Sequence, residues 1–134
     1  MKQNKYKFAF IEIIILSMIV LIAFTLLNSE YLFGWIAHNW TFYLVLCLTP
    51  MVLIIFNKII ISILMTIGIS VGTFIGNYLG EFIMNNNISK IVYDMSAEQL
   101  YRMHHHPGFE IWIGTIVLFV LIGVIVHIFY KKKR

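Results

Sequence analysis

Charged residues are scarce in this sequence, and they are missing from long stretches of it. Only 12% of the 134 residues are charged, whereas 60% are hydrophobic. Soluble domains of this size carry about a quarter charged residues, so the composition argues against an ordinary soluble domain. It predicts a protein whose surrounding solvent is lipid.

The sequence also has a single cysteine and lacks the common catalytic motifs. Cys47 is the only cysteine, which excludes an intramolecular disulfide, a CxxC redox motif and zinc ligation by several cysteines. The sequence contains no GxSxG, no HExxH and no glycine-rich phosphate loop beside a lysine. We therefore expect a protein that is not an enzyme.

The apolar residues form four long segments, which predict an all-α integral membrane protein with four transmembrane helices. The predicted spans are about 8–27, 40–56, 59–84 and 111–130, in a single domain over 1–134. At ~1.5 Å per residue, the second and third segments together are about twice one bilayer crossing, so they predict a hairpin that turns at Asn57-Lys58. The first segment is too long for the apolar core of a signal peptide.

The positions of the basic residues orient this arrangement. Lysine and arginine cluster before the first span, in the hairpin turn and after the last span, which an even number of spans places on one side. By the positive-inside rule that side is the cytoplasm, so both termini are expected there, in a multi-pass protein of the cell membrane. Basic residues at membrane flanks indicate topology, and we expect no nucleic-acid partner. The outer loops are then residues 28–39 and 85–110.

The second outer loop has a helix signal of its own. Ser96 and Gln99 have the spacing of a capping box, which predicts a short interfacial helix from this point. Pro107-Gly108 should end it and turn the chain into the last span.

The third span carries a regular glycine pattern. Gly68, Gly72, Gly76 and Gly80 are spaced by four residues and should form one stripe where another helix backbone approaches closely. Packing against the first or fourth span of the same chain is favoured. The alternative is a homodimer interface or a sliding surface in a transporter. The candidate partners of the protein are the lipid bilayer and either a homo-oligomer or a larger membrane partner.

Polar and ionisable side chains concentrate in the second outer loop and at the ends of the spans beside it. Carboxylates and imidazoles in such a cluster can bind a transition metal, a haem or another ligand. Helical neighbours point ~100° apart, so a histidine run cannot converge on one ion while it is helical. A solvated loop is the alternative. The candidate ligands are His104, His105, His106, Glu110, Glu81 and Asn77.

Glu12 is the only carboxylate well within a span. The favoured interpretation is that its side chain extends toward the cytoplasmic interface near Lys7. The alternative is a proton- or cation-coupling residue that faces the helix bundle. Trp112 and Tyr43 are expected in an outer aromatic belt.

These features support two hypotheses from different classes. The first is an accessory, protective or ligand-binding membrane protein that displays its polar outer cap. The second is a small proton- or cation-coupled transporter that works as a homo-oligomer, with Glu12 as the coupling residue. A substitution of Glu12 by Gln discriminates between them, since only the second needs an ionisable group there.

Overall fold

The computed structural model describes residues 2–132 and the side chains of residues 5–132. Six helices follow one another within this range, and it contains no strand. They are α1 (Lys2–Thr25), α2 (Tyr31–His38), α3 (Trp40–Ile55), α4 (Ile59–Ile88), α5 (Ala97–Met103) and α6 (Gly108–Lys132). In the described part, α1, α4 and α6 are each long and apolar enough to cross a membrane. A fourth span is present if α2 and α3 are counted as one bent pair.

Helix α4 is the centre of the bundle, and two of its faces have different partners. At ~100° per residue, the four glycines occupy one arc of the helix and a set of polar residues occupies the adjacent arc. The glycine arc packs along α6, and Gly68, Gly72 and Gly76 each lie against its residues. The polar arc faces the rest of the bundle, where α1, α2 and α3 also contact α4.

The first outer connection is a helix, where the sequence suggested only a polar and aromatic loop over residues 28–39. Helix α2 meets α3 at an angle of 91°. It buries Leu32, Phe33 and Ile36 completely, and their burial stabilises a segment that is too short and too polar at its ends to be recognised as a span. Gly34 is required here, because a Cβ atom would lie 2.6 Å from the carbonyl oxygen of Asn28.

The hairpin between α3 and α4 turns where the sequence predicted. Asn57 has φ = 61°, the left-handed conformation that asparagine tolerates better than most residues. The amide of Asn57 donates to Ile54 at 3.0 Å and the amide of Lys58 donates to Leu53 at 2.8 Å. These are the two hydrogen bonds of a Schellman motif, which satisfies the last carbonyls of α3.

The start of α1, the α3–α4 turn and the end of α6 lie together at one end of the bundle. Lys5 donates to the side-chain oxygen of Asn57, which joins α1 to the turn. Lys58 Nζ lies 3.2 Å from His127 Nε2, which joins the turn to α6. We call this the lysine end, after Lys5, Lys58 and Lys131; the opposite end, with α2, α5 and His104–His106, is the cap end.

The capping box predicted from the sequence is formed at the start of α5. Ser96 Oγ accepts from the amide of Gln99, and the Gln99 side chain accepts from the amide of Ser96. Glu98 and Arg102 form an exposed ion pair one turn apart. No residue of α5 is fully buried, so this helix lies at the surface, where it contacts α4.

Candidate functional site

Glu12 lies inside the bundle, contrary to the expectation that its side chain extends to the interface. It is only 3% exposed. Its carboxyl group faces Ser62 of α4, whose Oγ lies 3.0 Å from Oε1 and 2.8 Å from Oε2. A hydroxyl partner within the bundle replaces the water that an extended side chain would have reached.

The hydrogen atoms available at this site suit a protonated Glu12. Ser62 Oγ also lies 2.8 Å from the carbonyl oxygen of Pro50. Ser62 has one hydroxyl hydrogen, so with an ionised carboxylate only one of its contacts to these acceptors can be a hydrogen bond. A protonated Glu12 donates to Ser62 Oγ, and Ser62 then donates to Pro50. Neutral Glu12 also avoids the cost of a buried, unpaired charge.

Pro50 removes one backbone hydrogen bond from α3 close to this site. Proline has no N–H, so the carbonyl of Leu46 loses its usual helical donor. The hydroxyl of Thr49 takes that place and donates to Leu46 at 2.6 Å. The carbonyl of Pro50 is thus presented to Ser62 by a helix whose hydrogen bonding remains satisfied.

A row of buried polar side chains continues from Ser62 along α4. The row lies within an arc of about 80° at ~100° per residue, and it covers about 22 Å at ~1.5 Å per residue. Thr66 adds a hydroxyl beside the Glu12 carboxyl. The hydroxyls of Thr66 and Ser70 are nevertheless buried without a hydrogen-bond partner among the described residues. We call this row the polar track; it consists of the buried residues Ser62, Thr66, Thr73 and Asn77 and of Ser70, which is half-buried with a buried hydroxyl oxygen.

The polar track ends at a second carboxylate. Asn77 Nδ2 donates to Glu30 Oε2 at 2.9 Å, while Asn77 Oδ1 accepts from the amide of Leu32 at 2.9 Å. Glu30 is the N-cap residue of α2 and makes no side-chain capping bond of its own. Asn77 therefore caps α2 from a neighbouring helix, and the track runs from Glu12 near the lysine end to Glu30 at the cap end.

A cavity of about 870 Å³ opens at the lysine end, close to Glu12. Phe8 and Lys58 both line it. They lie one helical turn before Glu12 on α1 and Ser62 on α4. Two of the residues that line the cavity are thus about one helical turn from the Glu12–Ser62 pair.

The three consecutive histidines point to three different places. His104 donates to the carbonyl of Leu100 at 2.8 Å, and His105 lies 2.9 Å from Glu110. His106 is buried and stacks on Tyr31, with ring centroids 3.9 Å apart. The candidates of the outer cluster are therefore brought together only in part.

His106 is held in its neutral form by its surroundings. Its Nδ1 accepts a hydrogen bond from the amide of Gly108 at 3.0 Å, so the ring proton is on Nε2. Burial lowers the pKa of His106, against the opposing effect of the nearby Glu81 and Glu110 carboxylates. The role of this ring is to pack the start of α6 against Gly80, where a Cβ atom would lie 2.5 Å from it.

Residues 2–132 contain no group of three or more histidine, cysteine, aspartate or glutamate side chains placed to hold a metal ion. Asn77 is directed to α2, and Glu81 is exposed on α4. Within residues 2–132, His105 and Glu110 form a close imidazole–carboxylate pair, and both side chains are about half exposed. The arrangement around these candidates gives no support to a metal or haem site.

Trp112 has a role that the aromatic-belt expectation missed. It is completely buried against the glycine arc of α4, and its Nε1 donates to the carbonyl of Ile69 at 3.0 Å. Tyr43 is also buried, and its hydroxyl donates to the carbonyl of Leu16 at 3.3 Å. The glycine stripe opposite Trp112 was the available signal, since it leaves space that a large side chain on a neighbouring helix can fill.

The chain matches no protein-family model, no curated protein and no solved structure.

Proposed function

We propose that the protein is a small membrane protein that transports protons and crosses the cell membrane four times. Glu12 is the group that binds and releases the proton. The observation that carries this proposal is the burial of Glu12 against Ser62 inside the bundle. Ionisable side chains within membrane spans are costly and usually serve a function.

The proposed orientation places the lysine end in the cytoplasm. Lys5, Lys58 and Lys131 lie at that end, as the positive-inside rule requires of a cytoplasmic face. Helix α3 has 16 residues, about 24 Å at ~1.5 Å per residue, so it crosses most of a ~30 Å core and α2 lies near the outer surface.

The proposed path of the proton begins at the cytoplasmic cavity, reaches Glu12 and continues along the polar track. Phe8 lines the cytoplasmic cavity and lies one helical turn from Glu12, so water in the cavity would be about one turn from the carboxyl group. Beyond Glu12, the unpartnered hydroxyls of Thr66 and Ser70 offer hydrogen-bonding sites toward Asn77 and Glu30. Hydroxyls one turn apart are too distant to bond directly, so one water between successive groups would complete the connection. In this proposal, Glu12 accepts a proton from one side of the membrane and releases the same proton to the other side.

Reconstituted vesicles test the proposal. Purified protein is placed in liposomes that contain a pH-sensitive dye, and a potassium gradient with valinomycin drives protons inward. We expect protein-dependent acidification that is lost in Glu12→Gln and reduced in Ser62→Ala. Glu98→Gln, which removes an exposed carboxylate on α5, is the matched control and should behave as wild type. Equal flux in wild type and Glu12→Gln would contradict the proposal.

A second candidate function is an accessory protein that presents its cap end to another membrane protein. The observation in its favour is the exposure of aromatic residues before and within α5, where Tyr93 is 104% and Tyr101 is 77% exposed. Aromatic residues of this kind are enriched at protein interfaces. A homo-oligomer would also need such a surface, because α6 covers the glycine stripe. If Tyr93→Ala with Tyr101→Ala abolishes the cellular phenotype while Glu12→Gln does not, this second function replaces the first.

A further inference from the structure

We infer that the cavity at the lysine end binds the phosphate group of an anionic phospholipid. This cavity combines ammonium groups with apolar walls at the ends of the spans. The same cavity is the proposed entrance for the proton, but the inference does not require that Glu12 transfers a proton.

The composition of the lining is the first argument. The cavity of about 870 Å³ is lined by three lysines and a histidine, and no aspartate or glutamate is among its lining residues in the described part of the chain. Its other side chains are mainly apolar. The lining residues that matter here are Lys5, Lys58, Lys131, His127, Phe8 and Phe56.

The partners of the lysines are the second argument. Lys5 donates to the amide oxygen of Asn57, and Lys58 contacts the imidazole of His127. These groups carry no negative charge, so they orient the ammonium groups without neutralising them. Each ammonium has three donors, which leaves hydrogen atoms for a further acceptor. An anion with several acceptor oxygens satisfies both the charge and the donors, and phosphate is such an anion.

The walls favour a lipid as the source of the phosphate. Phe56 is 68% exposed at the turn, and Phe8 is exposed on α1 in the same cavity. A free phosphate ion gains nothing from such surfaces, whereas the glycerol and upper acyl carbons of a phospholipid can cover them. Basic pockets between transmembrane helices bind lipid headgroups through this combination of contacts.

Competition between lipids tests the inference. The purified protein is placed in phosphatidylcholine vesicles that contain a trace of spin-labelled phosphatidylglycerol, and electron paramagnetic resonance measures how much labelled lipid the protein immobilises. We expect a preference for phosphatidylglycerol over spin-labelled phosphatidylcholine. Each lysine that is removed should weaken the preference about fivefold, since a basic residue near an anionic headgroup contributes roughly 1 kcal/mol.

The variants are Lys5→Gln, Lys58→Gln and Lys131→Gln. Lys131 lies in the last turn of α6, and the contacts that join α1 and α6 to the α3–α4 turn are made by Lys5 and Lys58, so the Lys131 variant keeps the test valid if either of the other two fails to fold. Lys90→Gln, an exposed lysine at the cap end, is the matched control and should retain the wild-type preference. An unchanged preference in folded variants would overturn the inference. So would displacement of the labelled lipid by inorganic phosphate, because it would identify a site for the free ion.

Discussion

Ser62 Oγ lies within 3.0 Å of both carboxyl oxygens of Glu12, although the two residues are on different helices and far apart in the sequence. The same hydroxyl contacts the carbonyl of Pro50, so three helices meet at one oxygen. This contact changes the interpretation of the protein. A carboxyl group that reached the membrane interface would favour an accessory role, whereas a buried and hydrogen-bonded one favours proton transport.

The contact between α4 and α6 should be intolerant of even one added methyl group. A Cβ atom at Gly76 would lie 2.5 Å from the carbonyl oxygen of Gly108, which is backbone and cannot move aside cheaply. We expect Gly76→Ala to lower the free energy of unfolding by about 1–3 kcal/mol, the usual cost of overpacking. The measurement is equilibrium unfolding in detergent micelles.

Gly114→Ala is the control for this prediction. A Cβ atom at Gly114 meets nothing within 4 Å, so alanine should be neutral there or stabilise α6 by up to about 1 kcal/mol. Equal effects of the two substitutions would show that the close approach of α4 and α6 does not limit stability.

His106 should make the cap end sensitive to acid. The folded protein favours the neutral ring, because burial lowers its pKa and Nδ1 accepts from Gly108. In the unfolded chain, this imidazole binds a proton at a higher pH than in the folded protein. The contribution of neutral His106 to the free energy of unfolding is therefore complete above about pH 6.5 and is lost as the pH falls toward the lowered pKa. The groups that face the ring are Tyr31, Glu81, His105 and Glu110.

Thermal unfolding at about pH 7.5 and about pH 5.5 measures this effect. His106→Phe keeps an aromatic ring against Tyr31 but cannot titrate, so its melting temperature should fall less with acidification than that of wild type. His104→Gln, which changes an exposed histidine, should retain the wild-type pH dependence. The assignment to His106 fails if His106→Phe shows the same fall as wild type.

The proposed orientation predicts which positions can be labelled from outside the cell. After Cys47→Ala, a cysteine at Tyr93 should react with a membrane-impermeant thiol reagent in intact cells, since this side chain is fully exposed at the cap end. A cysteine at Lys132, at the lysine end, should react only after the cells are opened. The reverse pattern would invert the topology.

Features set by local sequence were the most accessible to prediction. Long apolar runs are required of any helix in lipid, so the apolar segments appear as helices near the expected bounds. The capping box at Ser96 and the turn at Asn57 depend on residues close in the chain, and both are formed. The glycine stripe indicated a close helix contact, but only the folded chain identifies α6 as the helix that meets it.

Features set by contacts between distant residues could not be predicted. Helix α2 exists because the bundle buries its apolar side and Asn77 caps its start. The burial of Trp112 depends on the space beside α4, while its position near the end of a span suggested an interfacial anchor. Glu12 was ambiguous for the same reason, since its partner Ser62 belongs to another helix.

Infrared spectroscopy of Glu12 tests the central claim most directly. A protonated carboxyl group in an apolar site gives a C=O stretching band that is separate from the bands of carboxylates and amides. The account predicts such a band near neutral pH in the reconstituted wild-type protein and its absence in Glu12→Gln. It also predicts that the band shifts on transfer to D₂O, because the proton exchanges with water through the cavity. A spectrum without the band, or a band that does not shift in D₂O, would contradict the claim that Glu12 binds and releases a proton.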